Sequence, residues 1–191
     1  LNVVPGIPDE VGQLLISDPR VKFITFTGST RTGRYLAVQA ATHLKKFTLE
    51  MGGKSPLIVL RDADLDYAVD VATFGAFLHQ GQVCMASSKV IVEEPLYEDF
   101  CARFAAKAAT LKVGDPHDTR TFVGPLIRQS QCEFIKGQLD DARDKGAAIL
   151  TGGDYSERFF QPTVLRDVNR DMRIYHEESF GPVVSVIKVQ N

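Results

Sequence analysis

Apolar and polar positions along the chain switch repeatedly between a period of two and a period of three to four. Residues 21–27, VKFITFT, alternate and are rich in β-formers, which predicts a strand that Gly28 ends. From Ser29 to about Lys46, Leu36, Ala37, Ala40, Ala41 and Leu44 recur at helical spacing. FTLEM (47–51) and PLIVL (56–60) read as short strands separated by Gly52 and Gly53. Residues 62–80 predict a helix with Asp62 or Asp64 as its N-cap, and 89–94 a strand. A helix follows over 95–112, where Pro95 is tolerated in the first turn. Residues 115–125 read as loop, 128–145 as helix and 147–150 as strand, closed by a Gly152–Gly153 turn. Strand patterns in 159–165 and 182–189 flank a loop over 171–181. This alternation predicts an α/β fold, mainly parallel sheets with flanking helices. No element is expected in residues 1–20, which should be the least settled part.

A length of 191 residues suits one domain or pieces of two, and 44% hydrophobic content is enough for a sizeable core. With 22 basic against 24 acidic residues and no basic cluster, the chain lacks the footprint of a nucleic-acid binder. No apolar run approaches the ~18 residues that span a bilayer, so no membrane role is expected. LNVVPGIPDE has neither the basic nor the apolar region of a signal peptide, and it lacks an initial Met. Cys84, Cys101 and Cys132 form no CxxC or zinc pattern, which fits a reducing, cytoplasmic setting. The four histidines share no spacing and the acidic clusters lack calcium-loop spacing, so no metal site is expected.

Four stretches carry candidate chemistry. In FTGSTRTGR (26–34) a strand ends at Gly28, and Ser29 or Thr30 can cap a helix whose free N–H groups suit an anion. The Gly28-to-Gly33 spacing is neither GxGxxG nor a P-loop, so locally a plain glycine-punctuated strand–helix turn is the favoured reading. In LEMGGKSP (49–56) Glu50 ends an apolar strand before two glycines. Partial desolvation there would raise its pKa toward that of a general base, but local features favour a solvated strand-end carboxylate beside a turn. In HQGQVCMASS (79–88) Cys84 lies among small residues that leave it accessible, or it is a buried structural cysteine like most. In HEESFGPV (176–183) Glu177 and Glu178 precede an aromatic and a Gly-Pro turn, as ribose acceptors or as surface charge.

Taken in order, ITFTGSTRTG, LEMGGKSP, GQVCMA and EESFGPV resemble the motif series of the NAD(P)-dependent aldehyde dehydrogenase superfamily. VVPG, KVGDPHD, VGPLI and GGD fit as well, so the resemblance covers essentially the whole chain. It implies that residues 1–52 are the C-terminal part of a Rossmann-like dinucleotide-binding domain. Residues 53–191 would be most of a thiol-bearing catalytic domain, truncated at its C-terminus. The implied reaction oxidises an aldehyde to a carboxylic acid with NAD or NADP. Cys84 would form the thiohemiacetal and thioester, and Glu50 would act as general base. Gly28 and Ser29 would meet the cofactor pyrophosphate, and Met51 and Gly52 would lie along the nicotinamide. Glu178 would hold the nicotinamide ribose, with Phe180 beside it. The departures are Met51 where Leu is usual and Ser179 where a larger apolar residue is usual.

The family's oxyanion Asn and adenosine-ribose Lys would lie upstream of residue 1. The chain is therefore expected to be an internal fragment of a homo-oligomeric parent, a dimer or tetramer. Alternatives remain: a CoA-acylating relative, a Cys–His hydrolase, or, for the isolated chain, a folded module with feeble activity or none.

Overall fold

The computed structural model describes residues 1–190 and divides the chain into two compact units, Leu1–Gly52 and Gly53 onward. The first contains α1 (Pro8–Ser17), β1 (Phe23–Gly28), α2 (Thr30–Thr42) and β2 (Lys46–Met51). β1 and β2 pair in parallel through a helical crossover, with Phe23 opposite Lys46, Thr27 opposite Glu50 and Gly28 opposite Met51. The helix ends sooner than its pattern suggests. Leu44 adopts φ +50° after the last turn, and Lys46 already belongs to the strand.

α1 falls where no element was expected. Pro8 supplies a preset φ at the first turn, Asp9 and Glu10 complement the helix dipole, and Ile16 is buried. Lys45 ties its end down by donating to the carbonyls of Asp18 (2.6 Å) and Leu15 (3.3 Å). Residues 8–17 are thus helical, whereas residues 1–7 carry no helix or strand and are exposed.

The second unit is built on a five-stranded sheet of order β3-β4-β9-β8-β5. Its strands are β3 (Pro56–Val59), β4 (Lys89–Glu93), β5 (Ala148–Thr151), β8 (Thr163–Arg166) and β9 (Val183–Val189). β3, β4, β9 and β8 run parallel; only the edge strand β5 is antiparallel. A small hairpin, β6 (Tyr155–Ser156) with β7 (Phe159–Phe160), splits what 159–165 suggested as one strand, because Gln161 and Pro162 interrupt it. The helices are α3 (Leu65–Phe77), α4 (Glu94–Ala109), α5 (Gln129–Asp144) and the short α6 (Arg173–His176), a turn inside the expected loop. Asp64 is the cap of α3, accepting from the Tyr67 N–H at 3.0 Å.

Both faces of the sheet are covered, which explains why β9 reads as a nearly unbroken apolar run, VVSVIKV. Val164, Val184 and Val186 point into a core shared with Ala72, Phe77, Phe100 and Phe104 of α3 and α4. Leu165, Val183 and Ile187 point the other way, toward Cys132, Ile135 and Leu139 of α5. The α/β, mainly parallel architecture expected from the alternation is the architecture found.

Candidate active site

Parallel pairing brings distant stretches to one end of the second unit. Pro56 of β3, Lys89 of β4 and Ser185 of β9 are in register, so the residues just before each strand converge. Those residues are Gly53, Cys84, Glu178 and Phe180, and together with Gly81, Val83, Ala86, Ser88 and Gly181 they line one cleft. The reactive side chains are thus a consequence of topology: three connections, one sheet edge.

The segment carrying Cys84 is held in an uncommon backbone. After α3, His79 (φ +53°), Gln80 (+59°) and Gly81 (+66°) are all left-handed, and only Gly81 is free of the β-carbon penalty. Gly81 also needs to be glycine for space: a β-carbon there would lie 2.2 Å from the Gly181 carbonyl oxygen. This contact brings the Cys84 loop against the Phe180–Gly181 turn. Gln82 braces the loop by accepting from the Ile127 N–H at 3.1 Å. A turn closed by Ala86 N–H to the Val83 carbonyl, 3.0 Å, then presents Cys84 and Met85 at its tip.

The three cysteines differ as their surroundings require. Cys84 is exposed, whereas Cys101 and Cys132 are buried in the two cores. Burial pushes the Cys101 thiol up to about 11 and raises Cys132 as well, which makes both poor nucleophiles. Among the described residues the Cys84 N–H donates no hydrogen bond, so it is available to an oxygen placed beside the sulfur.

Glu178 is half-buried. Burial raises its carboxyl pKa, opposed by a backbone hydrogen bond from Gly53 and by the charge of Lys54. Its neighbour Glu177 is held below the usual carboxylate range by Arg173, whose guanidinium donates to it at 3.0 Å. Phe180 is partly exposed with φ +46°. Lys54 was not singled out by sequence reasoning, although it belongs to the GGKS stretch. Its ammonium donates to the Ser179 hydroxyl at 3.1 Å, and burial with the nearby Lys89 charge lowers its pKa to about 8.

The remaining candidates belong to the first unit. Gly28, Glu50 and Met51 lie at the carboxyl ends of the paired strands β1 and β2, where open α/β sheets bind ligands. Gly52 closes that unit. Glu50 is exposed, the solvated strand-end carboxylate that its local features favour; the half-buried carboxylate is Glu178. A strand end preceding two glycines has few neighbours to exclude water. Ser29 caps α2, its hydroxyl accepting from the Thr32 N–H at 3.3 Å. The N–H groups of Thr30 and Arg31 remain free, and the first turn carries Arg31 and no acidic residue. A cation at the positive end of a helix dipole is unfavourable unless an anion also sits there, so this helix start fits a phosphate-bearing ligand.

The site defines a class: an α/β protein with one accessible thiol set beside a desolvated carboxylate in a glycine-lined cleft. The sequence model of the Aldehyde dehydrogenase family matches residues 1–191, and the chain belongs to that family. It is 47% identical to a salicylaldehyde dehydrogenase of Pseudomonas putida over 98% of this chain and 39% of the relative. It is 44% identical to a vanillin dehydrogenase of Pseudomonas fluorescens, over 98% of this chain and 40% of the relative. Among solved structures, betaine aldehyde dehydrogenase of Staphylococcus aureus in complex with NAD+ superposes with a TM-score of 0.94. That match has 35% identity over 97% of this chain and 39% of that one. The chain thus spans about 40% of the length of these relatives.

Proposed function

We propose that the protein carrying this chain oxidises an aromatic aldehyde to its carboxylic acid with NAD or NADP, through a thioester on Cys84. The observation that carries the reading is the cleft: an exposed thiol shares it with an acceptor carboxylate, Glu178, and an aromatic side chain, Phe180. The aromatic class rests on the salicylaldehyde and vanillin relatives.

The Cys84 thiol gives its proton to solvent and its sulfur adds to the aldehyde carbonyl carbon, forming a thiohemiacetal anion whose oxygen takes a hydrogen bond from the Cys84 N–H. A bound nicotinamide dinucleotide supplies the acceptor for the hydride that leaves this carbon. Cys84 then holds the acyl group as a thioester. Glu50 acts as general base, taking a proton from the water that attacks the thioester carbon and displaces the Cys84 sulfur. Its exposed carboxylate has the solvent access this step needs. Glu178 would accept hydrogen bonds from ribose hydroxyls with Phe180 beside them, and Met51 and Gly52 would line the nicotinamide. Gly28 and Ser29, with the free N–H groups of Thr30 and Arg31, would hold the pyrophosphate. Residues 1–52 in this reading are part of the dinucleotide domain, and the rest is thiol-bearing.

The test is a substrate panel with each cofactor, comparing benzaldehyde and vanillin with acetaldehyde and betaine aldehyde. Oxidation of the aromatic aldehydes, abolished by Cys84→Ala, is the expected result. Normal turnover by Cys84→Ala would remove the thiol from the mechanism. Preference for the small aldehydes would overturn the substrate class.

A further inference from the structure

The turn from Glu177 to Gly181 is gripped from several directions. Glu177 accepts from Arg173 of α6 and from Gln138 of α5, the latter at 3.3 Å. Ser179 is fully buried and held at both its polar atoms. Lys54 Nζ donates to its hydroxyl at 3.1 Å, and Gln131 Nε2 donates to its carbonyl at 2.6 Å. Gly181 is pinned by its contact with Gly81. Glu178 and Phe180, whose side chains line the cleft from this turn, therefore gain their placement largely from side chains outside the lining: Arg173, Gln138, Lys54 and Gln131.

We propose that Lys54 is a positioning residue for Glu178: its ammonium, hydrogen-bonded to the Ser179 hydroxyl, anchors the turn and lies within electrostatic reach of the Glu178 carboxylate. The inference concerns how the cleft is held and rests on the proposed function only for its cofactor consequence.

The other ionisable groups near this turn are engaged elsewhere or stand apart from it. Glu177 is adjacent but neutralised by Arg173. Lys89 of β4 lies over the Tyr175 ring, 3.9 Å from its centre. His176 is turned toward the Arg170 carbonyl at 2.8 Å, and Cys84 stands on the opposite turn. Lys54 is the cation whose attraction opposes the burial of Glu178. Burial and Lys89 bring the Lys54 ammonium down to about 8, so its hold on Glu178 should weaken above that pH.

The test needs no cofactor. The Glu178 carboxyl carbon is followed by NMR against pH in 13C-labelled protein, its resonance assigned by its loss in Glu178→Gln. In Lys54→Met the Glu178 midpoint should rise by about half a unit to one unit, and Lys54→Arg should restore it. By reciprocity, the Lys54 ε-carbon midpoint should fall by a similar amount in Glu178→Gln. This second arm decides the matter alone if Lys54→Met does not fold. Ser179→Ala removes the anchor but keeps the charge, and should leave the Glu178 midpoint nearly in place. Midpoints indifferent to the partner's removal overturn the proposal. The consequence is then read by NADH fluorescence titration. The acid limb of NADH affinity should move to higher pH in Lys54→Met, while a packing defect would weaken binding equally at every pH. If the midpoints are coupled but neither NADH nor NADPH binds, the cofactor reading fails and the Lys54 assignment stands.

Discussion

Replacing Gly81 by alanine drives a wedge between the two turns that form the cleft. The new β-carbon would sit 2.2 Å from the Gly181 oxygen, 2.6 Å from its carbonyl carbon and 3.0 Å from the Ala76 oxygen. All three are backbone atoms, so no rotamer change relieves the overlap; either the end of α3 or the turn before β9 must move. Left-handed φ costs an alanine about 1–2 kcal/mol, and overpacking of this kind about 1–3 kcal/mol more. The expected loss is therefore about 2–5 kcal/mol, from the sum of the two effects. Two other glycines of the same cleft calibrate it. A β-carbon at Gly181 would press on Ile135 Cδ1 at 2.3 Å, a side-chain tip that can rotate away, so Gly181→Ala should cost about 1 kcal/mol. A β-carbon at Gly53 meets nothing within 4 Å, so Gly53→Ala should lie within about 0.5 kcal/mol of the parent. Urea unfolding followed by circular dichroism gives the ranking, and the rate of Cys84 with a chromogenic disulfide reports the loop. The reasoning fails if Gly53→Ala costs as much as Gly81→Ala, or if Gly81→Ala changes neither stability nor thiol rate.

Native protein should show one fast-reacting thiol, lost in Cys84→Ser, with Cys101 and Cys132 reacting only on unfolding; a second fast thiol in the folded state would contradict their burial. Thr163→Val should cost about 1–3 kcal/mol in thermal or urea unfolding, because it deprives the Gly153 N–H of its acceptor and the Gln161 carbonyl of its donor. Arg61 holds the Glu93 carboxyl below its ordinary value, so this pair stabilises the fold above about pH 4.3 and is lost as pH falls through the lower folded value. Glu93→Gln should accordingly lose less stability than the parent between pH 7 and pH 3; an equal loss would mean the pair contributes nothing to acid sensitivity.

The architecture was legible because period and punctuation agreed nearly everywhere. Val164 and Leu165 serve opposite cores, and β9 has no polar face because helices cover both sides. The convergence of Gly53, Cys84 and Glu178 was also latent in the pattern, since each falls a few residues before a strand of one parallel sheet. What could not be read was set by non-local contact. Lys54 matters through Ser179, far along the chain, and nothing near Lys54 announces that partner. Glu50 is by contrast a solvated strand-end carboxylate, as its place before two glycines suggested. The left-handed backbone of His79 and Gln80 runs against the local preference of both residues. α1 was missed despite a usable signal, Pro8 followed by Asp9 and Glu10 before Val11, Leu14 and Leu15.

The most direct test of the account is to mix the protein carrying this chain with benzaldehyde and NAD+, quench in acid, and weigh the peptide containing Cys84. A benzoyl mass on that peptide is the predicted result. It should accumulate further in Glu50→Gln, whose hydrolysis step is slowed more than acylation. Acid produced at the normal rate with no acyl group on Cys84, in either form of the protein, would contradict the central claim.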